Sequence, residues 1–101
     1  MNAISKISDI TANDCAEYIR IDETMSQDET NLLTTLLDVA KKFVCEYTGR
    51  TPAEADTFED MVIVVLILVQ DMYDNRTLYV EKDNLNKVVE CILGMHSVNL
   101  L

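Results

Sequence analysis

MVIVVLILV, residues Met61 to Val69, is an unbroken apolar run in a chain of 101 residues whose net charge is −10. A helix on a protein surface keeps a polar face, so a segment apolar all round must be covered all round. A bilayer span needs about 20 apolar residues, and Glu59, Asp60 and Asp71 close this run off on both sides. It reads as a central core helix or as a helix shared between subunits. Its valines and isoleucines favour strands. However, Phe58, Met61, Val62, Val65, Val69, Met72 and Tyr73 hold helical spacing, and Thr57-x-x-Asp60 supplies a start signal. Strands average about 5–6 residues, far shorter than this pattern. A helix over 58–75 is expected.

On the amino side, Ser26-x-x-Glu29 is a capping box and Gly49 a good C-terminal stop, which predicts a helix over 27–48. Leu32, Leu33, Leu36, Leu37, Ala40, Phe43, Val44 and Tyr47 recur every three or four positions and form its apolar face. Thr30, Asn31, Thr34, Thr35, Asp38, Lys41 and Lys42 form the wet side. Earlier still, Thr11-x-x-Asp14 starts a short helix over about 12–20, with Ile10 placed to staple onto Cys15 and with Cys15, Ala16 and Ile19 on one face. An acidic connector, Asp22 to Gln27, joins these two helices. Arg50 to Asp56, with the only proline, reads as a linker.

On the carboxyl side, Arg76 to Val80 reads as a loop or a short extended piece. Asp83 or Asn84 caps a last helix over about 85–93, with Leu85, Val88, Val89, Ile92 and Leu93 on its face and Gly94 as its stop. Residues 1–101 are expected to form one all-α domain, a small bundle of about four helices around the central hydrophobic one.

Bulk properties exclude several functions. Apolar residues make up 49%, and there are only two glycines and one proline, which favours an ordered, helix-rich chain. Eight Lys and Arg stand against eighteen Asp and Glu. The basic residues are scattered, so binding to nucleic acid or to an anionic membrane surface through phosphate neutralisation is not expected. MNAISKISDI lacks an apolar signal-peptide core, so synthesis in the cytosol is expected.

Candidate sites are few. Cys15, Cys45 and Cys91 include no C-x-x-C pair, and reduced thiols serving as small core hydrophobes are the plainest reading. With the only histidine, His96, they make a Cys3His set, but structural zinc ligands come in close sequence pairs, and only Cys91 and His96 are near each other. An EF-hand loop starting at Asp22 would need Gly where Gln27 stands and Glu where Leu33 stands. No phosphate loop, nucleophile elbow or zinc-protease motif occurs. No catalytic residue, cofactor or metal is expected.

The order of these features carries a resemblance. A short helix ends in IRID (19–22), and the acidic turn DETMSQDE leads to a long helix that closes with CEYTGR (45–50). The very hydrophobic helix then ends in LVQDMYDNR (68–76). This order resembles the small phage head–tail connector family, also called adaptor or DNA-packaging proteins. The resemblance covers nearly the whole chain. Its most specific pieces are Glu46-Tyr47-Thr48-Gly49-Arg50 and Asp71-Met72-Tyr73-Asp74-Asn75-Arg76.

The resemblance implies a helical virion subunit, made in the bacterial cytoplasm and located at the capsid–tail junction. There it forms a homo-oligomeric ring under the portal protein, of about twelve copies, closed by heterologous contacts. The ring extends the DNA channel and receives a head-completion or tail protein. DNA passes without sequence-specific binding, and an acidic wall would let it slide. The second apolar side of the central helix makes Ile63, Val64 and Ile67 the residues expected to pack between subunits. The apolar tail residues Val98, Leu100 and Leu101 either fold back on the domain or, on this reading, dock on the portal. A second reading is a small acidic regulatory module, anti-repressor or antitoxin-like, binding one protein partner helix-to-groove. A third is a small enzyme using Cys45 or Cys91.

Overall fold

The structure, a computed structural model, describes residues 6–20, 26–75, 77, 80 and 85–98. The architecture is all-α, with no strand among the described residues. The connector Asp22 and Glu23, most of the 76–80 segment, the candidate caps Asp83 and Asn84, and Leu100 and Leu101 lie outside the described residues.

Helix α1 spans Ala12–Ile19 and begins where the Thr11 hydroxyl accepts from the Asp14 backbone N–H, while Asp14 accepts from the Thr11 N–H at 2.8 Å. Both arms of the capping box are made, and Cys15 and Ala16 face inward. The helix stops at Arg20, whose left-handed backbone (φ 66°) turns its N–H onto the carbonyls of Ala16 and Glu17. That conformation is uncommon outside glycine.

Helix α2, Gln27–Thr48, matches the expected bounds because both ends carry chemical signals. Ser26 accepts from the Glu29 N–H at 3.2 Å, and Gly49 closes the far end at φ 70°. Leu33, Leu36, Leu37, Ala40 and Val44 are buried, and Leu32, Phe43 and Tyr47 flank them half-buried. Thr34 and Thr35, on the wet side, return their hydroxyls to the carbonyls four residues back.

The expected 50–56 linker contains a helix of its own, α3 (Pro52–Ala55). Thr51 and Glu54 form a complete capping box, and Pro52 occupies the first turn, where its missing N–H costs nothing. This moves the start of the next helix. The Thr57 hydroxyl donates to the Glu54 carbonyl and does not cap downstream, and residues 58–60 stay outside the helix, with Glu59 and Asp60 in a turn. Helix α4 runs Met61–Asn75, not 58–75.

Helix α4 is the centre of the fold. Met61, Val62, Val64, Val65, Leu66, Leu68, Val69 and Met72 are all buried, on more than one face. Four elements supply the cover: α1, α2, the last helix, and a 3-10 turn at Ile7–Asp9. The turn is a contribution that the sequence reading did not identify. It buries Ile7 and Ile10 and is held by the Ser8 N–H, which donates to Asp56 Oδ1 at 3.1 Å. Each enclosed Val, Ile or Leu contributes about 1.5–3 kcal/mol, and of the two expectations for this run the central core helix describes most of it, with Ile63 left exposed.

Helix α5 spans Lys87–His96 and is capped by Asn86, which accepts from the Val88 N–H at 2.8 Å. It differs from the expected 85–93 at both ends. Val89 and Leu93 are fully buried, but Val88, expected on the inner face, is 54% exposed. Gly94 does not stop the helix, which continues to His96.

Candidate functional site

The three residues expected between subunits do not form one surface. At about 100° per residue, Ile63 and Ile67 stand some 40° apart on the helix, whereas Val64 is a full 100° from Ile63. Val64 is completely buried in the chain's own core, where no second copy could reach it. Ile67 is half-buried against the core. Ile63 is the exposed member, at 36%. A second apolar strip lies on α5, where Val88, Cys91 and Met95 follow helical spacing and are all exposed.

Of the expected docking tail, only Val98 is among the described residues. Its side chain is partly open, but its backbone is engaged with its own domain: the Val98 N–H donates to the Thr48 carbonyl at 2.8 Å. Thr48 is itself buried, and its hydroxyl donates to the Val44 carbonyl.

A cluster that the sequence did not reveal sits where the tail leaves α5. His96 Nε2 lies 2.8 and 2.9 Å from the two carboxylate oxygens of Asp60. The imidazole stacks on Phe58, with ring centroids 4.0 Å apart. The Arg50 guanidinium lies 4.9 Å from the centre of the same Phe58 ring and donates through Nε to the His96 backbone carbonyl. Glu54 pairs with Arg50 at 3.6 Å. Backbone hydrogen bonds of the α3–α4 turn, Phe58 N–H to Ala55 O and Met61 N–H to Phe58 O, set Phe58 and Asp60 in place. The Gly49 cap aims Arg50 at them. No local sequence signal marks these contacts of His96, because Asp60 and Arg50 stand 36 and 46 positions away.

The cysteines are dispersed. Cys15 is enclosed, and burial, reinforced by the neighbouring Asp14 carboxylate, pushes its thiol up to about 11. Cys45 is half-buried, and burial followed by the charges of Asp56 and Glu46 raises it as well. Only Cys91 is exposed. No group of three or more His, Cys, Asp or Glu side chains among the described residues is gathered closely enough to hold a metal ion. In the LVQDMYDNR segment, burial and then the adjacent Asp74 push the Asp71 carboxyl up.

Among the described residues no helix is long and apolar enough to cross a membrane. No family model matches the chain, and no curated protein or solved structure matches it.

Proposed function

We propose that the chain is a virion structural subunit of the phage head–tail connector type, assembling under the portal and extending the DNA channel. The observation that carries this reading is the ordered set of segments from IRID through CEYTGR to LVQDMYDNR, spread over nearly the whole chain. The all-α architecture agrees with it. The net charge of −10 suits a wall past which DNA slides. Ile63 and the Val88–Cys91–Met95 strip offer apolar surface for contacts between copies. Val98, with Leu100 and Leu101, is the proposed point of attachment to the portal.

The test is reconstitution. The purified chain is mixed with portal rings from the same phage and imaged by electron microscopy. A layer of added density below the portal, lost with Ile63→Asp or on removal of residues 99–101, supports the reading. Bare portals at saturating protein refute it.

The exposed α5 strip also suits the second reading, a regulator binding one partner, since a helix face with anchors at i, i+3 and i+7 is what a groove accepts. Native mass spectrometry separates the two: a one-to-one complex with a non-portal protein, and no ring, selects the regulator.

A further inference from the structure

We propose that the Asp60–His96 pair is a proton-sensitive clasp controlling how firmly the end of α5 and the strap after it, Ser97 and Val98, are held on the corner formed by residues 48–60. The proposal is independent of any docking role for the tail.

Apolar packing does not hold this end of the helix. Leu93 is the last fully buried residue of α5, and Gly94 and Met95 are exposed, Met95 at 69%. Beyond Leu93 the fasteners are polar or aromatic: Asp60 and Phe58 on the imidazole, Arg50 on the His96 carbonyl, and the Thr48 carbonyl on the Val98 N–H. The Ser97 hydroxyl turns back onto the Leu93 carbonyl and adds no tie to the corner.

His96 is the only histidine in the chain, and imidazole is the side chain whose charge changes at ordinary pH. The charged groups against it are the Asp60 carboxylate from the α3–α4 turn and the Arg50 guanidinium from the α2–α3 connection. Glu54 of α3 engages that guanidinium in turn. With the proton on, a single Nε2–H is shared between two carboxylate oxygens as a charge-assisted bond. With the proton lost, the Nε2–H tautomer still donates to the carboxylate but without the attraction of the imidazolium charge, and the Nδ1–H tautomer turns a lone pair onto the carboxylate. The clasp is therefore tighter with the imidazole charged than with it neutral. The pair is partly open to water, with side-chain exposures of 18% and 41%, so the effect is modest.

Amide hydrogen exchange of the full chain, at about pH 5.5 and about pH 8 and corrected for intrinsic rates, reads the clasp directly. The Val98 amide, with its acceptor on Thr48, is the reporter. Wild type is expected to open about two- to fivefold more at the higher pH, with α2 amides unchanged. Asp60→Asn and His96→Gln should erase that pH dependence locally. An NMR titration of wild type guards against misfolded variants: the Val98 amide shift should follow the His96 ring with one midpoint. Strap exchange insensitive to pH in wild type, pH dependence surviving in both variants, or a Val98 shift that ignores His96 each overturns the proposal.

Discussion

Arg50 donates to the backbone carbonyl of His96 across 46 positions of sequence, joining the end of the longest helix to the end of the last one. Gly49 sets this up. Its left-handed backbone turns the chain sharply after Thr48, so that the next side chain reaches α5 instead of continuing along the α2 axis.

The two glycines should respond in opposite directions to the same change. At Gly49 an added Cβ meets only Val98 Cβ at an ordinary 3.8 Å, so the cost of Gly49→Ala is the left-handed backbone, about 1–2 kcal/mol of lost stability. At Gly94, inside α5, an added Cβ meets nothing, and Gly94→Ala should stabilise by about 0.5–1 kcal/mol. Urea denaturation of both variants checks the pair, and equal signs would refute the backbone assignment.

Charge placed along α4 should separate core from surface within two adjacent positions. Val64→Asp buries a carboxylate with no partner and should cost more than about 4 kcal/mol, enough to unfold a domain of this size. Ile63→Asp, already in contact with water, should leave the melting temperature within a few degrees of wild type. Circular dichroism melts decide it, and similar losses at both sites would show the burial contrast to be wrong.

Thiol reactivity should follow exposure and thiolate fraction. Cys91 should label first at neutral pH, Cys45 more slowly, and Cys15 only on unfolding, since its thiol is both enclosed and pushed up to about 11. Mass spectrometry after timed alkylation gives the order. Early modification of Cys15 in the folded chain contradicts the packing of α1.

Glu54 gives the protein an acid limb of known sign. The Thr51 backbone N–H, then the Thr51 hydroxyl, hold its carboxyl below the usual glutamate range, with Arg50 adding to the same direction. A carboxyl depressed in the folded state contributes stability above its unfolded pKa and loses it as the pH falls through the folded one. Glu54→Gln keeps an acceptor at the cap but cannot titrate, so its stability should fall less between neutral and acid pH than that of wild type. Parallel pH profiles from chemical denaturation would rule out this contribution.

Elements with chemical signals at both ends were readable in advance. The bounds of α2 followed from the Ser26 hydroxyl and Gly49, and the start of α1 from Thr11 and Asp14. The start of α4 was misplaced because Thr57 resembles a cap, whereas its hydroxyl is already engaged by Glu54. The end of α5 was misplaced because local propensity stops a helix at Gly94. Arg50 and Asp60, both distant in sequence, hold it for another turn. Ile10 could be read as a staple onto α1, but Ile7 carries no local signal: its burial depends on packing against α4 and on the Ser8–Asp56 bond, 48 positions apart. The Phe58–His96 stack had no local signature: nothing in residues 85–98 reports on residues 50–60.

Ser8 is moored to Asp56, and Val98 to Thr48, so both ends of the described chain wait on one short corner. A nascent chain leaves the ribosome amino end first. The Ile7–Asp9 turn lacks its Ser8–Asp56 bond until residue 56 has emerged, and MVIVVLILV comes out soon afterwards, before α5 exists to roof it. That interval during translation is when the apolar run is least covered by its own chain.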